Sequence, residues 1–573
     1  MKIRTVSLFS LVAGLFAANL FSATPLNPVP ISDAIKTPIG EVRDGTVKVP
    51  IITWGGDIAT DLANGNSLAT VKGSIFDSQG LKVLIAREDV FTKQVEAYIR
   101  GDSPYIRGTV GQIGMALELL NKDPRTKPIA IYQHTWSTGG DCLVVKGNIK
   151  TAADLKGKTI ALQAYGPHVD YLARILTDAG VGLSDVKVKW VKDITGSDES
   201  PDAAFRNADV DAAFVISPDA SALTSNGTVG TGAEKSVKGA RIMLSTKTAR
   251  GIIADVYVVR QDYFNAHRQN VEKFVYSLLL AGEKLTKLMA DGTSRKAEYD
   301  ALLKGSAKIL LDSDQATGDV KGLYGDCTYV GYAGNVEFFG GSAQRRLSVV
   351  NDEGQAGLLG LGLIHAKSEI AQAGFDYEAL KSGLSQTALV SLPKFQTQEV
   401  QKVIGQKAEQ GTLGNNSIFS FEIFFRPNQN SFNVDTYRPE FKKVIDLAAV
   451  YGGAIITVEG HSDVMNYLKK RKAGESSVVL GMVKQSAKNL SLARANAVRD
   501  SIIEFAKQSG LALDSSQFAV VGYGITNPKT GLIGGEPKEP ATEAEWLSNM
   551  RVEFRLVSVE AEESVFAPAG GGK

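Results

Sequence analysis

The segment "KTIALQAYGPHVDYLARILTDAGVGLSDVKVKWV", residues 158–191, predicts a strand, a helix and a second strand in succession. The runs 158–163 and 186–191 are strand-like, whereas residues 168–180 carry apolar positions at helical spacing and end at Gly180. Strands that alternate with helices are typical of α/β layers in which the strands run parallel. This segment therefore indicates an α/β fold.

The same alternation continues on both sides of that segment. Further strands are predicted at 81–86, 210–217 and 254–260, and further helices at 91–101 and 270–289. We therefore expect residues 48–365 to form one α/β unit with largely parallel sheets, long enough for two lobes.

The chain changes character after residue 365. Residues 366–416 are rich in Gln, Lys, Gly and Asn and poor in apolar residues, so we expect a linker. Residues 417–560 return to alternating strands and helices, which predicts a second α/β domain. The tail, residues 561–573, is expected to be disordered.

The N-terminus has the features of an export signal. Lys2 and Arg4 precede an apolar run shorter than the ~20 residues that a spanning helix needs, and small residues follow it. We expect residues 1–23 to be a signal peptide, residues 24–47 a loose leader, and the mature chain to be soluble in the periplasm of a Gram-negative-type cell. A retained N-terminal anchor is the alternative.

Net charge and cysteine content indicate which partners and which disulfide bridges are possible. The 573-residue chain has a net charge of +1, so no global field attracts nucleic acid, and none is expected as a partner. The two cysteines, Cys142 and Cys327, form either one disulfide bridge or two buried thiols.

Four sequence words occur in a fixed order in the C-terminal unit. They are "VEGHSD" (458–463), "LSLARANAV" (490–498), "VVGYG" (520–524) and "SNMRVEFRL" (548–556). Together they resemble the OmpA-like peptidoglycan-binding domain. The resemblance implies an α/β domain that holds the protein to the cell wall and lets it co-fractionate with the outer membrane.

The resemblance also implies how the ligand is held. Wall peptides of many Gram-negative cells carry diaminopimelate, whose free end is a zwitterion; in the family an aspartate pairs with the ammonium and an arginine with the carboxylate. These residues are Asp463 and Arg494 here, and we expect Arg494 in the first turn of its helix, where backbone N–H groups favour an anion. Asn549 and Arg551 match the closing word and brace either the pocket or the last strand. A structural Asp463–Arg494 ion pair is the alternative.

Residues 464–488 depart from the family, which usually has a short loop at this point. They include the basic run "KKRK" (469–472), which either touches the acidic wall or forms a solvated face.

Three words in the N-terminal unit carry a second resemblance. They are "IKTAADLKGKTIALQ" (149–163), "NADVDAAFVISPDA" (207–220) and "ADVYVVRQDYFNAHRQNVEKFVYSLLLAG" (254–282). They resemble periplasmic solute-binding proteins of ABC transporters, in the nitrate, sulfonate and thiamine-precursor group. A looser resemblance to proteins labelled phosphate-binding, with a fused OmpA domain, covers the whole chain. The resemblance implies a two-lobed type II periplasmic-binding-protein fold, a small-molecule solute between the lobes and an ABC permease as a partner.

Ligand groups in such folds come from loops at strand ends and from helix N-termini. The candidates are Trp54, Gly55, Asp57, Thr109, Ser137 and Thr138 on the first lobe, and Tyr165, Gly166, Ser217 and Asp219 on the second. Asp57 and Asp219 favour a cationic group, whereas helix N-termini favour an oxyanion. Because of the looser resemblance to phosphate-binding proteins, we expect the solute to be a small anion such as phosphate.

The sequence contains no catalytic, metal or cofactor motif that we recognise. A phosphate-loop-like word has Ala152 in place of its first glycine, and H-E-x-x-H, C-x-x-C and G-x-S-x-G are absent. We therefore expect a binding protein without cofactor or metal, and not an enzyme. Two alternatives stay open: an enzyme on the two-lobed fold, as in the thiamine-pyrimidine synthesis group, and a structural wall protein whose N-terminal unit has lost its ligand.

Overall fold

The computed structural model describes residues 26–43, 45–341, 343–385, 395–424, 434–511 and 513–557. The predicted signal peptide and C-terminal tail lie outside these residues. Within the described part of the chain, no helix combines the length and the apolar character that membrane crossing requires.

The N-terminal unit contains twelve strands and fourteen helices. The strands are β1 (Val47–Ile51), β2 (Val83–Arg87), β3 (Tyr105–Thr109), β4 (Pro128–Ser137), β5 (Asp141–Val145), β6 (Thr159–Gln163), β7 (Lys187–Val191), β8 (Ala212–Ile216), β9 (Arg241–Ser245), β10 (Ala254–Arg260), β11 (Cys327–Tyr329) and β12 (Ala371–Gln372). The helices are α1 (Ile31–Ala34), α2 (Ile58–Ala63), α3 (Ile75–Ser78), α4 (Phe91–Arg100), α5 (Val110–Leu120), α6 (Val169–Asp178), α7 (Pro201–Phe205), α8 (Ser217–Leu223), α9 (Gln261–Ala290), α10 (Lys296–Leu311), α11 (Thr317–Gly325), α12 (Gly331–Gly340), α13 (Leu347–Gly360) and α14 (Tyr377–Leu380).

Two sheets define two lobes. The first lobe has the order β11-β4-β10-β3, with β12 beside β4, and the second has the order β7-β6-β8-β5-β9. The chain crosses from β4 to β5 and returns from β9 to β10, so two segments connect the lobes. The expected parallel pairing holds for β6 with β7 and β8, whereas β10 is antiparallel to both β3 and β4. In the second lobe, β5 is antiparallel to β8 and β9, and parallel pairs also occur between β1 and β2 and between β12 and β4. Pairing is therefore mixed in both lobes, and the expectation of largely parallel sheets was wrong for both.

Helix α13 packs against both lobes at once. The Nε2 atom of Gln355 donates to the carbonyl of Gly114 in α5 at 3.0 Å. Gly357 faces α6 so closely that an added Cβ there would lie 2.3 Å from the Cβ of Ala173. This helix therefore fixes the position of α5 in the first lobe relative to α6 in the second.

The leader is packed and not loose, which corrects the expectation for residues 24–47. Ile31 is fully buried in the same apolar core as α5. The hydroxyl of Tyr165, in the second lobe, donates to the carbonyl of Val29 at 2.7 Å, and Ser32 donates to Glu118 of α5 at 3.2 Å. The leader thus contacts both lobes.

The C-terminal domain has one mixed sheet between helices. Its strands are β13 (Ser417–Phe424), β14 (Ile455–His461), β15 (Phe518–Gly524), β16 (Leu532–Ile533), β17 (Glu536–Pro537) and β18 (Arg551–Val557), and its helices are α15 (Thr397–Glu409), α16 (Arg438–Val450), α17 (Met465–Lys472), α18 (Ser477–Gln508) and α19 (Glu543–Ser548). The sheet order is β13-β18-β14-β15, with β14 and β15 parallel and the other pairs antiparallel. Helix α18 lies so close to β14 that a Cβ added to Gly460 would stand 2.0 Å from the carbonyl oxygen of Ser491.

The segment predicted as a linker, 366–416, is packed at both of its ends. Strand β12 joins the first-lobe sheet, and Leu384 is buried in the first-lobe core. Helix α15 lies on the C-terminal sheet, where Gln401 Nε2 donates to the carbonyl of Val520 at 2.6 Å. Its apolar positions, among them Val400 and Ile404, are buried against that sheet, because a helix of low overall hydropathy still presents one apolar stripe.

Helix α18 is longer than the sequence analysis predicted. It has 32 residues and begins at Ser477, where the Ser476 hydroxyl accepts the N–H of Val479. Arg494 therefore lies in the middle of a helix, and the expectation that it sits in a first turn was wrong. The N-terminus of α18 itself therefore does not lie at Arg494.

The C-terminal domain docks on the second lobe. The N–H of Gly251 donates to the carbonyl of Val450 at 2.9 Å, and the N–H of Gly453 donates to the carbonyl of Thr248 at 3.0 Å. Tyr451 is fully buried, and its hydroxyl donates to Asp178 at 2.7 Å. The contacted loop connects β9 to β10, so the domain meets the lobes beside the returning crossover.

Candidate functional site

Three predicted solute residues converge where the lobes meet. Trp54 Nε1 donates to Thr135 Oγ1 at 3.2 Å, and its ring lies over Gly140. The N–H of Thr138 donates to the carbonyl of Asp326 at 2.9 Å, and Ser217 Oγ donates to the Asp326 carboxylate at 2.9 Å. Side chains from both lobes therefore surround Asp326, which the sequence analysis did not single out.

A buried ion-pair network lies behind this junction. Arg107 contacts Asp57 Oδ2 through Nε at 3.0 Å and Asp255 Oδ1 through Nη1 at 2.7 Å, and Thr135 Oγ1 donates to Asp255 at 2.8 Å. Burial raises the pKa of Asp57 to about 7, although the Arg107 charge opposes this. Asp57 is fully buried, so it does not present a free carboxylate to a solute, and its predicted role as a direct ligand is corrected.

Gly55 is also interior. Its carbonyl accepts the hydroxyl of Tyr329 at 2.6 Å. A Cβ at Gly55 would lie 1.9 Å from the carbonyl oxygen of Leu323 in α11. Glycine is needed here for close backbone packing, which explains the residue without a ligand and corrects its predicted role.

Thr109, Tyr165 and Gly166 form a second group, which joins the lobes instead of lining an opening. Thr109 caps α5 by accepting the N–H of Gln112 at 3.1 Å, and Gln112 Nε2 donates to the carbonyl of Tyr165 at 3.2 Å. Gly166 is buried against the side chain of Gln163. Each of these residues contacts protein at the interface between the lobes, and their predicted role as solute ligands stays a prediction.

Ser137 belongs to a buried serine, aspartate and histidine chain. Ser137 Oγ donates to Asp141 Oδ2 at 2.5 Å, and Asp141 Oδ1 contacts His168 Nε2 at 2.6 Å. The carboxylate stands between the other two groups. The histidine therefore cannot take a proton from the serine directly, which is the step that a nucleophilic triad needs.

The N-terminus of α6 already holds a carboxylate. Asp170 is buried, receives backbone N–H groups at the start of α6, and lies so close to α5 that a Cβ at Gly111 would stand 2.6 Å from it. Burial raises the pKa of Asp170 to about 7. The charge of Asp141 further raises the pKa of Asp170, Asp255 and Asp326, so these carboxylates share one region.

Asp219 lies elsewhere. Its pKa is raised by burial, and the charges that act on it come from Asp202 of α7 and from Arg206, the residue after that helix. None of its contacts within the described part of the chain involves Asp326, so its predicted place in a common solute site gains no support.

The predicted Cys142–Cys327 bridge is not formed, and both residues are buried thiols. Cys142 lies on β5 in the second-lobe sheet, whereas Cys327 lies on β11 at the edge of the first-lobe sheet. Burial raises the pKa of Cys327 well above its usual range. Of the two alternatives that the sequence left open, the structure has the two buried thiols.

Asp463 lies at a pocket of about 470 Å³ between α17 and α19. Its Oδ1 atom accepts the N–H of Met465 at 2.9 Å and the indole N–H of Trp546 at 2.7 Å. The pocket walls include Asn466 and Lys469 of α17 and Thr542, Glu543 and Trp546 of α19. These two donors fix the carboxylate at the pocket edge.

Arg494 is close to Asp463 but is not paired with it. Burial lowers the pKa of Arg494, and the charge of Asp463 opposes that shift. No ion pair joins the two side chains among the described residues, which disfavours the alternative of a structural pair. Arg494 is only 8% exposed and does not contribute to the walls of the Asp463 pocket.

Asn549 and Arg551 brace the sheet and a neighbouring loop. Asn549 is fully buried and accepts the N–H of Thr530 at 3.3 Å. Arg551 forms an ion pair with Glu422 on β13 at 2.9 Å. Of the two roles left open by the sequence, these contacts favour bracing of the last strand.

Glu459, His461 and Glu553 come together on the C-terminal sheet, a combination that can hold a metal. Arg555, however, contacts Glu459 at 2.9 Å and also pairs with Glu553. Burial and the charge of Arg551 lower the pKa of His461 to about 3. The arginine charges neutralise the two carboxylates and oppose a further cation. The site therefore does not fit a metal ion.

Residues 68–286 match the NMT1/THI5-like family. The match lies within the two lobes. Together with the two crossovers it confirms the expected periplasmic-binding-protein-like α/β fold for the N-terminal unit. The OmpA-like assignment of the C-terminal domain stays a prediction.

Several solved structures are similar to part of the chain. The periplasmic aliphatic sulphonate binding protein SsuA from Escherichia coli is 16% identical, with a TM-score of 0.39, over 57% of this chain and 91% of that one. The alkanesulfonate-binding protein SsuA from Xanthomonas axonopodis pv. citri, bound to MOPS, is 17% identical, with a TM-score of 0.34, over 50% and 86%. The desulfurization enzyme DSZB is 15% identical, with a TM-score of 0.33, over 59% and 99%. No curated protein matches the chain.

Two residues of these sites were missed from the sequence. Asp326 precedes Cys327 in the word "YGDC", and Trp546 stands three residues before Asn549 in "EWLSN". Asp326 is thus adjacent to a residue that the sequence analysis had selected, and Trp546 lies one helical turn from another. A Trp one helical turn before a predicted site residue was the available signal, because its ring and N–H can serve a ligand pocket.

Proposed function

We propose that this protein is a periplasmic solute-binding protein whose solute is held where the two lobes meet. The observation that carries the proposal is the hydrogen bond from Ser217 Oγ to Asp326 at 2.9 Å, which joins the lobes beside Trp54. The family match of residues 68–286 supports the same function. A solute that replaces this contact would link groups of both lobes and favour closure.

The charges at the junction support a neutral or cationic solute rather than the small anion expected from the sequence. Asp141, Asp170, Asp255 and Asp326 share the region, and Arg107 is already paired. Asp170 also occupies the helix start that an external oxyanion would need. Trp54 supplies an aromatic face, which attracts cations.

A thermal-shift screen of the whole chain tests this proposal. The panel contains organic ammonium compounds and aminopyrimidines on one side, and phosphate, nitrate and alkanesulfonates on the other. A ligand at 100 times its dissociation constant should add about 2.7 kcal/mol of stability. Ser217→Ala should reduce the response, whereas Ser221→Ala, one turn along the same helix, should not. A response to anions alone would contradict the proposed solute class.

We further propose that the C-terminal domain binds the peptide stem of peptidoglycan. The support is the orientation of the Asp463 carboxylate by Met465 and Trp546 at a pocket that a ligand can enter. Full-length protein should sediment with diaminopimelate-type peptidoglycan, and Asp463→Asn should weaken this about tenfold or more, because an ammonium would lose its charged partner. Asp514→Asn is the matched control, since Asp514 likewise accepts the N–H two residues ahead.

A structural envelope protein without a solute is the second candidate. One observation favours it: Val29, Tyr165 and Gln112 already connect leader and lobes by hydrogen bonds. In that case no compound in the thermal-shift panel would stabilise the chain. Transfer to an ABC permease belongs only to the first candidate.

We also propose that Ser137 does not act as a catalytic nucleophile. The order Ser137, Asp141, His168 supports this, because the base cannot reach the serine. Purified protein should therefore remain unlabelled at Ser137 by a fluorophosphonate probe, and labelling there would favour the enzyme alternative.

A further inference from the structure

We infer that Lys469, which belongs to the 464–488 insertion, receives the carboxylate of the wall ligand whose ammonium pairs with Asp463. The inference rests on the proposed binding of peptidoglycan. It assigns the insertion a role in ligand selection and replaces Arg494 as the ligand's cationic partner.

The insertion is a fixed element and not a mobile loop. It builds α17 and the first turns of α18, and Tyr467 is buried in a small core with Val464 and Ile525. The hydroxyl of Tyr467 donates to Glu536 at 2.5 Å, and Lys484 Nζ donates to the same carboxylate at 3.2 Å. The face of α17 toward the pocket is therefore held in place before any ligand binds.

Lys469 is the basic residue of the run 469–472 that faces this pocket. Its neighbours are engaged elsewhere, because Lys470 pairs with Glu475 at 3.7 Å and Arg471 with Glu536 at 3.9 Å. No ion pair of Lys469 occurs within the described part of the chain. An exposed ammonium on a flexible stem can reach across a pocket of about 470 Å³.

Arg494 cannot serve the same pocket from its present position. It is 8% exposed, lies in the middle of α18 and is absent from the pocket walls. Asp463 and Lys469, by contrast, present opposite charges to one cavity, with the Trp546 indole beside Asp463. This arrangement matches a zwitterion on an aliphatic stem.

Two soluble probes test the inference with the full-length chain. They are a stem tripeptide with a free diaminopimelate carboxylate and the same tripeptide with that carboxylate amidated. Calorimetry should show about tenfold tighter binding of the free carboxylate by the wild type, the range of one charge-assisted hydrogen bond. Lys469→Gln should abolish this preference, and Lys469→Arg should restore it. Lys472→Gln, on the same helix but outside the pocket, should leave it unchanged.

The outcomes separate this inference from the proposed function. If Asp463→Asn abolishes binding while Lys469→Gln keeps the full preference for the free carboxylate, wall binding stands and the role of Lys469 is overturned. If Arg494→Gln alone removes the preference and the variant retains the thermal stability of the wild type, Arg494 is the partner and Lys469 is not. If the wild type binds neither tripeptide nor peptidoglycan, both proposals fail.

Discussion

Arg174 of the second lobe and Asp446 of the C-terminal domain form an ion pair across the contact between the two units. The same guanidinium contacts Asp178 at 2.7 Å and Glu353 of α13 at 2.8 Å. Because α13 packs on both lobes, this arginine connects the C-terminal domain to the helix that joins the lobes. The full chain therefore presents its solute-binding unit and its C-terminal domain as one docked body, in place of two bodies on a flexible linker.

The first prediction tests the docked contact with a pair of neighbouring glycines. A Cβ at Gly453 would lie 1.8 Å from the carbonyl oxygen of Lys247, whereas a Cβ at Gly452 has its nearest neighbour, the carbonyl of Ala448, at 3.9 Å. Gly453→Ala should weaken docking by about 1–3 kcal/mol, the usual cost of overpacking, and should increase the radius of gyration in solution scattering. Gly452→Ala should change neither. Equal scattering from all three proteins would contradict the docked arrangement.

The second prediction concerns the buried carboxyl of Asp170, whose pKa burial raises to about 7. An unfolded aspartate has a pKa of about 3.9, so the folded chain binds this proton more tightly. The resulting stabilisation is present below the unfolded pKa and is lost as the pH rises through about 7. Asp170→Asn should therefore raise the free energy of unfolding at pH 8 by about 4 kcal/mol and change it little at pH 4.

Urea unfolding followed by tryptophan fluorescence at both pH values measures this effect. The control, Asp154→Asn, should behave with the opposite sign. The pKa of Asp154 is lowered, first by the N–H of Thr151, so its stabilisation is present at high pH and is lost as the pH falls. A shift of the same size at pH 4 and pH 8 for Asp170→Asn would show that folding does not raise the pKa of its carboxyl.

Helices and strands were predicted from local apolar patterns. The predictions failed where the structure depends on contacts between residues far apart in the chain. The strand 158–163 and the helix 168–180 appear as β6 and α6, because their apolar spacing is set within a few residues. The antiparallel pairing of β10 with β3 joins residues far apart in the chain, and no local pattern specifies it. Ser476 is a typical N-cap residue and marks the start of α18. The OmpA-like family usually has a short loop at this point, and that resemblance predicted a later helix start.

The candidate sites were predictable to the level of the interface but not of the individual contact. Trp54 and Ser217 follow strands, and both reach the lobe junction as expected. Asp57 also follows a strand, yet the sequence could not show that Arg107, on another strand, neutralises it. In the C-terminal domain, the proposed role of Lys469 depends on how the 464–488 insertion folds. The family usually has a short loop there, so the resemblance could not predict that fold.

The third prediction concerns the redox state of the two cysteines. Denatured, unreduced protein should give two thiols per chain by Ellman titration, since neither cysteine is in a disulfide. The native protein should react much more slowly, because both side chains are buried and burial raises the pKa of Cys327. Reductant should leave the melting temperature unchanged. Denatured protein without reactive thiols would show that Cys142 and Cys327 form a disulfide bridge.

The fourth prediction tests whether the leader restrains the lobes. The hydroxyl of Tyr165 donates to the carbonyl of Val29 at 2.7 Å and accepts its N–H at 3.2 Å. Tyr165→Phe removes both hydrogen bonds and should cost about 1 kcal/mol locally, which corresponds to about a fivefold larger open population. Hydrogen exchange should therefore accelerate about fivefold in residues 26–35, while the C-terminal sheet keeps its protection.

Tyr299→Phe is the control for that experiment, because its ring packs on Gly292 and lies outside the contact between leader and lobes. The result also bears on the choice between the two proposed functions. A solute-binding protein must open, so the leader contact should be weak enough for exchange to respond to a single hydroxyl. If Tyr165→Phe leaves exchange in residues 26–35 unchanged and no solute stabilises the chain, the lobes are held by their apolar core, to which Ile31 belongs, and the structural envelope protein becomes the better account.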